Sequence, residues 1–96
     1  MSYYEFSKLN EIDENNPDIV MDLHGYTTFE AEDILNDFLF QGKYKFIRII
    51  VGKGGNSENG PVLREFVKSY LNKNKINYNY ANYRNGGEGA LDVFLK

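Results

Sequence analysis

Residues 46–71, FIRIIVGKGGNSENGPVLREFVKSYL, read as a strand, a glycine-rich loop and a helix in direct succession. Phe46 to Val51 is apolar except for Arg48 and rich in β-branched residues, as a strand buried within a parallel sheet requires. Gly52-Lys53-Gly54-Gly55 opens a loop that no regular element tolerates, and Pro61 suits the first turn of a following helix. Leu63, Phe66, Val67, Tyr70 and Leu71 then recur at helical spacing, giving that helix one apolar stripe. Strand, loop and helix in this order are half of a βαβ unit.

Upstream, the same grammar appears once more. Ile19 to Leu23 is a short strand with Ile19, Met21 and Leu23 on one face and Val20, Asp22 and His24 on the other. Thr27-Thr28-Phe29-Glu30 is a capping box, with Glu30 three residues after Thr27. Ala31, Ile34, Leu35, Phe38 and Leu39 follow at helical spacing, and Gly42 suits the exit. Downstream, Ile76, Tyr78 and Tyr80 mark a third strand, Asn85-Gly86-Gly87 a turn, and Leu91, Val93 and Leu95 a fourth strand.

The predicted order is βαβαββ. Right-handed crossovers make the first three strands parallel, and the final hairpin adds an antiparallel one. The fold class is therefore α/β, a two-layer sandwich in which two helices cover one face of a four-stranded mixed sheet. Residues 1–17 mix aromatics with acids and read as an N-terminal arm, flexible or docked loosely through Tyr3, Tyr4, Phe6 and Leu9. Residues 18–96 form the single domain. The other sheet face is expected to be open or covered by that arm.

The 96 residues contain no Cys and one His, which removes disulfides, thiolate metal sites and His-based zinc clusters. No apolar run approaches a membrane span, so a cytoplasmic protein with no membrane partner is the expectation. The net charge of −3 hides a division: residues 1–37 carry −9 and residues 38–96 carry +6. That polarity suits either a phosphate-attracting face or a chance segregation of solvated charges.

Parallel strands direct their carboxyl ends to one edge, where open α/β sheets bind ligands. Asp22-Leu23-His24-Gly25, Gly52-Lys53-Gly54-Gly55 and Asn85-Gly86-Gly87-Glu88-Gly89 all fall there. His24 has an imidazole suited to proton transfer near neutrality. Asp22 emerges on the same side, to tune it, to contact a sugar hydroxyl or to make a surface hydrogen bond. The glycine loop before the second helix suits phosphate, with Lys53 adding charge, or serves as a tight connection. A P-loop is excluded because Gly54 follows Lys53, and a dinucleotide fingerprint because Ser57 stands at the third glycine position. Arg84 beside Gly86-Gly87 is a further phosphate-contacting candidate. Lys43, Lys45, Arg48, Arg64 and Lys68 read as solvated charges. Tyr78, Tyr80 and Tyr83 read as packing residues, or as base-stacking ones if they face the open side.

Together these segments resemble the small MutS-related (Smr) domain family. MDLHGYTTFEAEDIL is similar to its Leu-Asp-x-His-Gly block with the Glu-Ala that follows. IIVGKGGNSENGPVLREFVKSYL is similar to its Gly-x-Gly block, and GGEGALDVFL to its closing strand. The resemblance runs from about Asp18 to Lys96. It implies a βαβαββ fold similar to the C-terminal domain of translation initiation factor three, and activities of DNA nicking, RNA endonucleolysis and association with stalled ribosomes. It makes Asp22 and His24 the catalytic pair and Gly52 and Gly54 the second-block glycines. Met21 and Val51 depart from it, Val51 standing where the family usually has His or Thr. The implied function is an endonuclease acting on RNA or DNA, with no small-molecule cofactor and Mg2+ left open. A non-catalytic RNA- or ribosome-binding module is the alternative, and a protein–protein adaptor using the acidic arm a third.

Overall fold

The structure is a computed structural model that describes residues 16–52 and 60–95. Its elements follow the predicted order: β1 (Ile19–Asp22), α1 (Thr28–Leu39), β2 (Phe46–Ile50), α2 (Gly60–Lys73), β3 (Asn77–Tyr80) and β4 (Ala90–Phe94). Two short 3-10 turns, Tyr83–Asn85 and Gly87–Gly89, join β3 to β4. The arm expected at the N-terminus lies outside the described residues up to position 15.

The sheet order is β1-β2-β4-β3. β1 runs parallel to β2, whereas β4 is antiparallel to both β2 and β3, so β1, β2 and β3 share one direction. The hairpin strand thus enters the middle of the sheet. Its composition accounts for this. Ala90, Leu91 and Val93 are buried, whereas β3 alternates Asn with Tyr and leaves Asn77 and Asn79 exposed at the margin. A strand that is apolar on the core side gains most from two neighbours and a helix above it.

Alternation sorts the side chains into two faces. Met21 and Leu23 of the first strand segment, Ile47 and Ile49 of β2 with Val51 just after it, and Leu91 and Val93 of β4 join Ala31, Leu35 and Leu39 of α1 and Leu63, Val67, Tyr70 and Leu71 of α2 in one core. Burying each large aliphatic side chain there contributes about 1.5–3 kcal/mol against the entropy of ordering the chain. The Tyr70 hydroxyl donates to Asn36 Oδ1 at 2.5 Å and ties the helices together.

Local signals behave as their chemistry demands. The Thr27 hydroxyl accepts from the Glu30 amide at 3.1 Å, and Glu30 Oε1 accepts from the Thr27 amide at 2.9 Å. At the other end of the chain, Lys75 follows α2 in the left-handed region at φ 57°, and the Ile76 amide closes the helix on Leu71 O at 2.9 Å. Asp18 staples the start of β1 to β2, accepting from the amides of Lys45 at 2.7 Å and Phe46 at 3.0 Å. Those two amides hold its carboxyl below the ordinary value. No helix among the described residues is long and apolar enough to cross a membrane.

Candidate active site at the carboxyl edge of the sheet

β1 ends at Asp22, and the ladder continues one residue further as the Leu23 amide donates to Ile50 O at 2.8 Å. Leu23 is buried, so Asp22 and His24 are both turned to the opposite side. Gly25 then reverses the chain at φ 83°, a left-handed conformation that suits glycine, and the Tyr26 amide returns to Leu23 O at 3.0 Å. Strand, buried leucine and turn together present the His24 ring at the edge.

Asp22 Oδ1 lies 2.5 Å from His24 Nδ1 and also accepts the His24 amide at 3.1 Å. The hydrogen bond from the imidazole is the chief reason that the Asp22 carboxyl sits below its ordinary value. An ionised carboxylate makes Nδ1 the donor, and in the neutral ring Nε2 then carries the lone pair. The side chains remain open to solvent, 69% exposed for His24 and 50% for Asp22.

The second segment sits beside the first. A Cβ on Gly52, at φ 81°, would lie 3.7 Å from His24 Cβ. The amides of Val51 and Gly52 both donate to Gly89 O, at 2.9 and 3.0 Å. The third segment therefore locks onto the second, and its own shape depends on Gly86. At φ 120°, a Cβ there would approach Ala90 Cβ to 2.8 Å. Gly87 follows, also left-handed at φ 53°, and Arg84 is exposed in the preceding 3-10 turn. Asp22, His24, Gly52, Arg84, Gly86 and Gly87 are thus gathered at one edge, while Lys53, Gly54 and Gly55 lie outside the described residues.

Three details differ from the sequence reading. The Gly52 amide is committed to Gly89, so it is not a free phosphate donor. Tyr78 and Tyr80 pair with Val93 and Leu91 and face the helices; Lys68 Nζ donates to the Tyr80 hydroxyl at 3.0 Å. They offer no stacking platform on the far face, and the Tyr83 side chain lies outside the description. Arg48, read as a solvated charge, is buried in a bidentate pair with Asp92, Nε to Oδ1 at 2.7 Å and NH2 to Oδ2 at 3.1 Å.

Arg64 also departs from the solvated charge that the sequence suggests. It stands in the first turns of α2, its NH1 4.0 Å from Glu88 Oε2 in the Gly87–Gly89 turn. Its Nε is buried without a hydrogen-bond partner and lies 3.5 Å from Glu65 Oε2 in an ion pair. Position five of a helix opening at the carboxyl edge was the available signal. Val51 is buried in the core and adds no polar group to the edge. Among the described residues no three His, Asp or Glu side chains form a metal-holding group.

The Smr domain model matches residues 21–96, from the strand before Asp22 to the last residue. The chain belongs to the Smr domain family. Curated relatives include an uncharacterized protein of Treponema pallidum, 34% identical over 83% of this chain and 42% of its own length. Endonuclease MutS2 of Carboxydothermus hydrogenoformans is 31% identical over 84% of this chain but only 10% of its own length. The chain thus spans less than half of each of these two relatives. Among solved structures, the Smr domain of Thermus thermophilus MutS2 superposes with a TM-score of 0.69 at 26% identity, covering 80% of this chain and 96% of that domain. The B3BP Smr domain gives a TM-score of 0.60 at 26% identity, covering 97% and 90%. The four-stranded mixed sheet with two helices is the architecture these Smr domains share with this chain.

Proposed function

We propose that this Smr domain is an endoribonuclease that works without a metal, with His24 as its proton-transfer group. The observation that carries the reading is the Asp22–His24 contact, which holds Nδ1 at 2.5 Å and leaves Nε2 directed to an exposed edge. In this reading Nε2 takes the proton from a ribose 2′-hydroxyl. The 2′-oxygen attacks the adjacent phosphorus, the P–O5′ bond breaks, and the leaving 5′-oxygen is protonated by water or Lys53. The products are a 2′,3′-cyclic phosphate and a 5′-hydroxyl. General base help of this kind is worth about 10²–10⁴-fold.

Charge on the phosphorane needs separate stabilisation. Lys53 and the amides of Gly54 and Gly55 are assigned to it, with Gly52, Gly86 and Gly87 allowing close approach of the backbone. Arg84 and Arg64 supply cationic charge at the same edge. The relationship to a protein named an endonuclease supports phosphodiester chemistry, and the resemblance directs the search for targets to ribosome-associated RNA in the cytoplasm.

A second reading is a non-catalytic module that docks on RNA or a ribosome by the same edge. The lack of a second His favours it, as does the buried Val51 where the family usually has His or Thr. End-labelled RNA, its all-deoxy counterpart and a hairpin, incubated in EDTA and in Mg2+ with wild type and His24→Ala, separate the readings. Cleavage of RNA but not DNA in EDTA, lost in His24→Ala, is expected. Equal inertness of both proteins with RNA binding retained would replace the enzyme by the binding module. Cleavage confined to Mg2+ would assign Asp22 to a metal instead.

A further inference from the structure

The two helices leave a trough between them that opens to solvent. Thr28, Val62, Glu65, Phe66 and Ser69 line its end at the carboxyl edge, a mostly apolar depression of about 510 Å³. Phe66 and Ser69 also line a second hollow, with Glu32, Asn36, Tyr70 and Lys73, so the trough continues along both helices. Thr28 and Asn36 stand eight residues apart on α1, which gives it a length of about 12 Å.

Its apolar side chains reach into water. Val62 is 58% exposed, and Phe29, next to Thr28, is 74% exposed. Phe29 shares a side of α1 with Glu32, Asp33 and Asn36, which follow at three, four and seven positions. A single exposed apolar residue is ordinary. Phe29, Val62 and the partly buried Phe66 flank one trough, and such a cluster marks a docking surface.

Charge selects the occupant. α1 carries Glu30, Glu32, Asp33 and Asp37 and no base. Glu30 is engaged in the cap, whereas no ion pair among the described residues involves Glu32, Asp33 or Asp37. Burial, and after it the Glu32 carboxylate, push the Tyr70 hydroxyl above its ordinary value, so the field of Glu32 reaches into the trough. On α2, Glu65 adds a carboxylate shared with Arg64 and Lys68, and Lys73 is a cation at the far end. A phosphate backbone is repelled by the α1 side, while lysine or arginine beside an apolar stripe is attracted.

We propose that this trough is the docking site for a basic amphipathic helix of a partner protein, about two turns of it. Apolar anchors at i, i+3 or i+4 and i+7 enter beside Val62 and Phe66, and cations flanking them meet Glu32 and Asp33. The assignment does not depend on a catalytic role for His24. Because α1 opens four residues beyond His24, the docked helix lies next to the edge assigned to RNA.

The probe is a synthetic helix of about five turns, with leucine at those positions and lysine on its other face. It is titrated into the isotope-enriched full chain beside a scrambled peptide of the same composition and one with glutamate for every lysine. The patterned lysine peptide is expected to shift the amides of Glu32, Asn36, Phe66 and Ser69, and to bind about tenfold more tightly than either control. Phe29→Ala with Val62→Ala, both at exposed positions, is expected to weaken it about tenfold with unchanged far-UV circular dichroism. Glu32→Lys with Asp33→Lys is expected to weaken it by a similar factor. Equal binding of the three peptides, shifts centred on Gly25, Gly52 and Gly86, or unchanged affinity in either double variant overturns the proposal. So do the same shifts produced by single-stranded RNA, or by raising the protein concentration without peptide, which would give the trough to a nucleic acid or to a second copy.

Discussion

Arg48 and Asp92 stand opposite each other on β2 and β4 and join through two hydrogen bonds, 44 residues apart in sequence. Both side chains are more than nine-tenths buried. Asp92→Ala takes a bidentate counter-charge from a buried guanidinium and is expected to destabilise the fold by about 3–5 kcal/mol. Replacing both partners, Arg48→Met with Asp92→Leu, is expected to recover most of that loss. Urea denaturation of the three proteins measures it, and a double variant no better than the single one would refute the assignment.

Gly86 carries two demands at once, a φ of 120° and a hydrogen where any Cβ would meet Ala90. Gly86→Ala is expected to cost roughly 1–3 kcal/mol of stability. Because the same turn carries Gly89, whose carbonyl anchors Val51 and Gly52, His24 resonances should shift in the folded fraction. Gly87→Ala, at φ 53° with open space around it, should perturb the fold less.

Asp18 provides the acid-sensitive staple of β1. Its folded-state carboxyl titrates below the ordinary value, with the Lys45 amide as the main cause. Its stabilisation is therefore present above the unfolded carboxylate value, about 4, and disappears as pH falls through the lower folded value. Thermal melts of wild type and Asp18→Asn should differ at pH 6 and converge toward pH 2. A difference that stays constant with pH would remove the ionic contribution.

Lys75 adopts a left-handed conformation at the exit of α2, where a side chain adds strain and glycine adds none. Lys75→Gly is expected to raise stability by about 1 kcal/mol. Lys75→Val, with a branched Cβ, should lower it, and chemical denaturation ranks the three.

Much of this molecule is legible in its residues. Helical and strand periodicity, the capping box from Thr27 to Glu30 and the order βαβαββ all depend on neighbours in sequence. So does the gathering of Asp22, His24, Gly52 and Gly86 at one edge, because right-handed crossovers send parallel strands the same way. Only the tertiary structure decided which strand lies beside which. Placing β4 between β2 and β3 turned Arg48 from a presumed surface charge into half of a buried pair. It also set Tyr78 and Tyr80 against the helices, committed the Gly52 amide to Gly89 and brought Arg64 toward Glu88. Each of these is a contact between residues far apart in the chain. Periodicity tells which face of an element is apolar; which partner covers that face is set by the packing of the whole sheet.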